Sequence, residues 1–323
     1  MIIFDYFLEK GGVETRLFKY LNFLKEKGWE IYLLSETNKN KELLKFNNFY
    51  LNLNSKNFSS CLIELLDKYG ITNLEFHFGS DKFLRNINFN KINKKIKIGS
   101  VIHNSGVNNS KLLNKFSYNI LVSERLRQRF YKKIKKSVII NNGIEKQKPI
   151  WVYDNQNRAI LISRIDKEKL PTIEAFITYC QNINIDFDIA GKDETGNIIT
   201  ELLIKKYNIP FEKFIGNVNT IDFLIRNKDK YLFVGGVGQV AIEAGILGFP
   251  VLCLAHLGVE YSTFITKTNF SDFQNFTIRN RFNYKQILNL DLNDIEKYSI
   301  NALICKNLDI EKFFKKYYEL LNT

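Results

Sequence analysis

Residues 235–251, GGVGQVAIEAGILGFPV, place three glycines within four positions, ahead of a helix-forming run that carries one carboxylate, Glu243. The preceding KYLFVGG reads as a buried strand, Gly236, Val237 and Gly238 as a turn, and QVAIEAGIL as the start of a helix. Such a turn lets backbone N–H groups, here those around Gly238, Gln239 and Val240, approach an anion at the positive end of the helix dipole, which is how phosphates are held. Glu243, about one and a half turns into the helix, could accept hydrogen bonds from two vicinal ribose hydroxyls. The glycine spacing alone also suits tight packing of a strand–helix turn, and the glutamate alone also suits a solvated surface.

Three further stretches carry compatible chemistry. ISRIDKEKLPT puts Arg164 and Lys169 just after a strand, where a forked guanidinium and a point-charge ammonium could neutralise a diphosphate; two loop cations are also common as plain surface charges. EKGGVET leads from a glycine pair, Gly11 and Gly12, into a helix and offers a second anion cradle. His103 in SVIHNSG and His77 in EFHFG, two of only three histidines, stand toward the carboxyl ends of strands, with a structural role open for each.

The elements that must position these residues alternate along the whole chain. Short β-rich runs (IIFDYF, WEIYLLSE, NLEFHFG, IKIGSVIHN, NILVS, SVIINNGI) are separated by segments of helical spacing such as VETRLFKYLNFLKEKG. Strands alternating with helices predict an α/β fold with mostly parallel sheets. After EKQKPIWVYDNQN at 145–157, which reads as a linker, the alternation restarts with RAILISRI, FDIAGK, KFIGNV, KYLFVGG and PVLCLAH. Two doubly wound domains are expected, 1–150 and 151–323, the second ending in helices, with ligands outside the carboxyl ends of the strands in a cleft between the two.

Composition narrows the function classes. At 323 residues with 45% hydrophobic and 14% aromatic content, the chain fits two packed domains of about 150 residues each. No apolar run approaches the roughly 20 residues that span a bilayer, and the first residues lack the pattern of a signal peptide, so a cytoplasmic protein is expected. Cys61, Cys180, Cys253 and Cys305 are widely separated in apolar contexts and read as reduced core thiols. The net charge of +13, from 47 basic against 34 acidic residues, is densest in KINKKIKI at 91–98 and RQRFYKKIKK at 127–136. Solvated faces and peripheral attachment to an anionic membrane surface explain these stretches equally well, whereas neither resembles a nucleic-acid platform.

Taken in order, EKGGVET, SVIHN, ILVSERL followed by VIINNGI, AILISRIDKEKLPTIEAF, DFDIAGK, FIGNV and GGVGQVAIEAGILGFPV resemble the successive signatures of retaining glycosyltransferases of the GT-B fold. That group includes glycogen synthases, phosphatidylinositol mannosyltransferases and lipopolysaccharide-core sugar transferases. The resemblance covers residues 10 to 260, diffuse in the first half and specific in the second. It implies two Rossmann-like domains, a nucleotide-diphosphate-sugar donor held mainly by the second and a hydroxyl acceptor held mainly by the first. A cell-envelope glycan, free or lipid-linked, such as lipopolysaccharide or capsule, is the acceptor class it brings to mind.

Residue by residue, Arg164 and Lys169 match the pair that neutralises the leaving diphosphate, Glu243 the ribose-binding second glutamate of an E-x7-E motif, Gly12 the glycine turn near the phosphates and His103 the catalytic histidine, with His77 behind it. DFD at 186–188 resembles a metal-binding triplet of another glycosyltransferase fold, but it opens a strand and reads as structural, so neither metal nor cofactor is expected. The first motif glutamate is missing: eight residues before Glu243 stands Gly235. Altered sugar choice, a substitute carboxylate such as Glu260, and loss of catalysis all follow as readings. A glutamate restored at 235 is expected to fold unless the backbone there has positive φ. A non-catalytic GT-B subunit and a nucleotide-sugar epimerase stand as alternatives to the transferase.

Overall fold

The computed structural model describes residues 1–322 except 6, 9–11, 39–40, 53–54, 81, 107–109, 131–132, 142, 255–261, 272 and 274–290. The chain forms two compact units. The first comprises residues 1–143 and 310–323, the second residues 144–309.

In the first unit, seven strands form an entirely parallel sheet. They are β1 (Ile2–Asp5), β3 (Tyr32–Ser35), β5 (Asn47–Tyr50), β6 (Asn73–Ser80), β7 (Lys97–Gly106), β8 (Tyr118–Leu121) and β9 (Ser137–Ile139), in the spatial order β5-β3-β1-β6-β7-β8-β9. Two short strands, β2 (Phe7–Leu8) and β4 (Thr37–Asn38), pair separately. The order reverses between β1 and β6, and such a switch point is where doubly wound sheets bind ligands. Helix α1 (Gly12–Glu26) follows β1. It buries Leu17, Tyr20, Leu21 and Leu24, the stripe that helical periodicity dictates, and the chain leaves it through Gly28 at φ 82°. Three shorter helices follow, α2 (Phe58–Lys68), α3 (Ser110–Leu113) and α4 (Glu124–Phe130).

The final helix, Ile310–Asn322, belongs to this first unit, whereas the sequence pattern had grouped it with the second domain. Its buried face, Ile310, Phe314, Tyr317 and Leu321, is an ordinary amphipathic stripe, so periodicity says that it docks but not where. Aromatic packing on α1 decides the matter. Tyr317 stacks on Tyr20 at 4.0 Å and 6°, and Phe314 packs on Phe23 at 5.2 Å.

The second unit holds a six-stranded sheet of β10 (Arg158–Ile162), β11 (Asp186–Ala190), β12 (Phe214–Gly216), β13 (Phe233–Gly236), β14 (Val251–Cys253) and β15 (Thr263–Phe264). Their order is β12-β11-β10-β13-β14-β15, parallel except for the last pair. Near-continuous apolar runs such as Ala159–Ile162 fit strands covered on both faces by α5 (Leu170–Asn182), α6 (Ile198–Tyr207), α7 (Thr220–Arg226) and α8 (Gln239–Ile246). A shorter helix, Asn301–Asn307, packs against α8, with Ile300 and Ile304 lying over Gly245. Residues 145–157 are the first segment of this unit rather than a free linker. Trp151 Nε1 donates to the Tyr231 carbonyl at 2.9 Å, and the backbone N–H groups of Ile150 and Trp151 both donate to the Leu247 carbonyl.

The DFD triplet opens β11, at its amino end. Asp186 is paired with Arg158 and Lys213, and the buried Asp188 accepts from Tyr231 at 2.8 Å and pairs with Lys230 at 2.9 Å. Both carboxylates are thus occupied by basic and hydroxyl partners at the end of the strand opposite to the one where ligands bind.

Candidate functional site

The order reversal of the second unit falls between β10 and β13, which are paired in register from Ala159 and Phe233 to Leu161 and Gly235. The two elements that the sequence assigned to a diphosphate leave the carboxyl ends of these two adjacent strands. From β10 the chain enters the loop Ser163–Lys169. From β13 it passes through Val237 and Gly238 into α8.

The loop is shaped by Asp166, whose Oδ1 accepts from the Lys169 backbone N–H at 2.8 Å. Ile165 anchors it, buried and bridged to Asp193 of the next loop. Arg164 projects outward with 61% of its side chain exposed, in a loose ion pair with Asp166 at 3.6 Å. Lys169 is half-buried at the N-cap of α5, and Pro171 stands in the first turn of that helix, where its missing N–H costs nothing.

The glycine turn is as tight as its composition suggests. Gly238 is the N-cap residue of α8 at φ 59°, a conformation that favours glycine, and among the described residues no side chain caps the helix there. Within α8, Ala241, Ile242, Ala244, Gly245 and Ile246 are buried, while Gln239, Val240 and Glu243 are half-exposed. Those three lie on one face at i, i+1 and i+4. The three residues of this eight-residue helix that are left half-exposed are the ones expected to hold a ribose and a diphosphate. Gly236 ends β13, where a Cβ would come within 2.5 Å of Val240. The structure therefore gathers Arg164, Lys169, Gly236, Gly238, Gln239, Val240 and Glu243 at one switch point.

Gly235 departs from the expectation. Its φ is not positive, so the backbone is no obstacle to a side chain. The obstacle is packing: a Cβ at 235 would point into the core, 2.7 Å from the ring of Phe176 and 3.3 Å from Leu254. A carboxylate introduced here would enter an apolar interior. The substitute suggested for it, Glu260, lies outside the described residues, as does Gly11.

In the first unit, Gly12 is the first residue of α1, after β1. His77 lies on β6 in register with Asp5 of β1 and Val101 of β7, and His103 lies two residues further along β7. Their rings are neighbours, with centroids 5.6 Å apart. His103 is 9% exposed, and burial, with lesser contributions from His77 and Arg16, pushes its pKa well below the usual histidine value. It is a neutral imidazole at neutral pH.

Beneath the two rings lies a network that sequence reasoning missed. Glu75, fully buried, receives Nε2 of His77 at 2.6 Å, the Tyr118 hydroxyl at 2.7 Å and the Tyr317 hydroxyl at 2.5 Å. Arg16 on α1 is also buried and donates to the Ile140 carbonyl at 3.3 Å. Desolvation lowers its pKa, with opposing attraction from Tyr317, Glu75 and Tyr20. The available signal was a lone glutamate between Leu74 and Phe76, two residues before His77 and hence on the same face of the strand. Tyr118 reaches Glu75 across the intervening strand because Gly99 is in register with both residues; a Cβ at 99 would lie 2.0 Å from the Tyr118 ring. Gly99→Ala is therefore expected to lower stability by about 1–3 kcal/mol through overpacking, with further loss from the displaced hydroxyl. Denaturant melts of the parent and variant check this, and equal midpoints would refute it.

Two doubly wound α/β units in one chain, each with its order reversal between strands that carry or lead into candidate site residues, define the fold class as GT-B. No protein-family model and no curated protein matches the sequence. In structure the chain is similar to a glycosyltransferase from Rickettsia africae, with a TM-score of 0.71, 16% identity and coverage of 99% of this chain and 97% of the other. It is also similar to Anabaena HepE, solved in complex with UDP and glucose, with a TM-score of 0.69, 15% identity and coverage of 99% and 98%. The lipopolysaccharide outer core galactosyltransferase WaaB matches over 99% of both chains with a TM-score of 0.62 and 10% identity. The likeness spans nearly the full length of each of these glycosyltransferases, and at such low identity what it shows is a common fold. Among the described residues no helix is long and apolar enough to cross a membrane, and no group of three or more potential ligands could hold a metal ion.

Proposed function

We propose that the chain is a glycosyltransferase that moves a sugar from a nucleoside-diphosphate-sugar to a hydroxyl acceptor. The observation that carries this reading is the half-exposed face of α8, with Gln239, Val240 and Glu243, which follows the strand adjacent to the one that leads into the Arg164–Lys169 loop at the switch point of the second unit. In this reading the uncapped start of α8, Arg164 and Lys169 hold the diphosphate, and Glu243 binds the ribose. Charge on the departing diphosphate is met by these fixed groups, without a metal ion. His103 is the catalytic candidate of the first unit, which takes the acceptor. Full-length likeness to WaaB favours a cell-envelope glycan as the acceptor class. Cytoplasmic location belongs to the same reading, as does contact with an anionic membrane through exposed cations such as Lys91, Lys94 and Lys95.

Glu243→Gln tests the donor site by itself. UDP is the first nucleotide to try, because HepE was solved with it. Loss of a charged acceptor for ribose hydroxyls, about 1.5–3 kcal/mol, corresponds to a dissociation constant weakened roughly 10- to 150-fold. Calorimetry reads this directly. If UDP binds the parent and binds the variant equally well, the ribose assignment fails.

A further inference from the structure

The buried network around Glu75 has a direction to it. The Tyr118 and Tyr317 hydroxyls both donate to the carboxylate, which has about four lone-pair sites and so accommodates a third donor. Tyr317 is itself fixed, its ring stacked at 4.0 Å on Tyr20. Nε2 of His77, at 2.6 Å from Oε1 of Glu75, completes the set as the third donor. Facing a carboxylate oxygen, which can only accept, Nε2 carries the proton of that hydrogen bond. Nδ1 of His77 is buried and without a hydrogen-bond partner among the described residues, and so is Nε2 of His103. The hydrogen bond made at one ring nitrogen sets where an imidazole carries its proton, and the ring that neighbours His77, with centroids 5.6 Å apart, is His103.

We propose that Glu75, held by Tyr118 and Tyr317, is a positioning residue that locks His77 in its Nε2–H tautomer and, through the His77 ring, holds the His103 imidazole in place. Its effect on turnover rests on the transferase reading, whereas the tautomer does not.

The experiment uses the full chain labelled with nitrogen-15 and long-range proton–nitrogen spectra at neutral pH. With three histidines in the sequence, the His77 signals are assigned by their loss in His77→Gln. The parent is expected to show His77 as a single neutral tautomer with the proton on Nε2. Glu75→Gln keeps the shape but offers an amide N–H2 that donates to Nε2, so the proton moves to Nδ1 in the majority of molecules. Tyr317→Phe keeps the stack on Tyr20 and removes one donor, so the same signals shift part of the way; this milder variant carries the test if Glu75→Gln does not fold. In a transfer assay both variants are expected to lower kcat about 10-fold or more, as small misplacements do, with the donor KM changed less than about twofold. A parent with its proton on Nδ1, or an unchanged His77 signature in the folded variants, overturns the proposal. A responsive tautomer in proteins that transfer no sugar keeps the tautomer lock and removes the transferase reading. A responsive tautomer with undiminished kcat removes the link to His103.

Discussion

Replacing Gly235 with glutamate is expected to unfold the second unit. The residue sits in β13, between β10 and β14, and its missing side chain would point at Phe176, which is fully buried among Phe187, Phe233 and Leu254. An uncompensated buried charge costs about 3–5 kcal/mol, and forcing extra atoms into a packed core about 1–3 kcal/mol more. Set against a typical stability of about 5–15 kcal/mol, the sum removes much or all of it. Circular dichroism melts should show a lost or strongly lowered transition. Gly235→Ala separates the two terms: it brings the 2.7 Å clash without the charge and is expected to fold with reduced stability. A Gly235→Glu protein melting within a few degrees of the parent would mean that the side chain escapes the core, and the motif comparison at this position would have to be reopened.

Gly235 also shows where sequence reasoning ran out. Strand–helix alternation was legible because doubly covered strands such as Ala159–Ile162 leave an unmistakable apolar run. The turn at Gly238 was legible because glycine, valine and glycine between a strand and a helix leave few other conformations. For the same reason the direction of residue 235 was not: in a strand buried on both faces no polar alternation marks which side faces what. Glu75 stayed hidden because its partners Tyr118 and Tyr317 lie 43 and 242 residues away. The final helix announced its buried face but not its neighbour, which only the aromatic stack on Tyr20 reveals. Local conformation was readable, and long-range pairing was not.

Arg164→Ala is expected to reduce turnover by about 100- to 1,000-fold, the scale seen when one donor aimed at developing charge is removed. Stability should hardly change. The side chain is 61% exposed and its pairing with Asp166 is loose at 3.6 Å; exposed pairs of that kind contribute about 0–1 kcal/mol. Melting temperature and turnover measured on the same preparation therefore separate a chemical role from a structural one. Arg164→Lys sharpens the test, since it keeps the charge and loses the fork that grips a diphosphate at two oxygens; partial recovery is expected. Lys169→Ala should follow the same pattern, with a larger stability change because Lys169 is half-buried at the start of α5. The split between binding and rate adds the mechanism. If Arg164 acts mainly on charge that builds as the sugar departs, UDP affinity falls much less than kcat does. Parental turnover in both alanine variants would withdraw the assignment of this loop to the donor diphosphate, and with it the main chemical argument for sugar transfer.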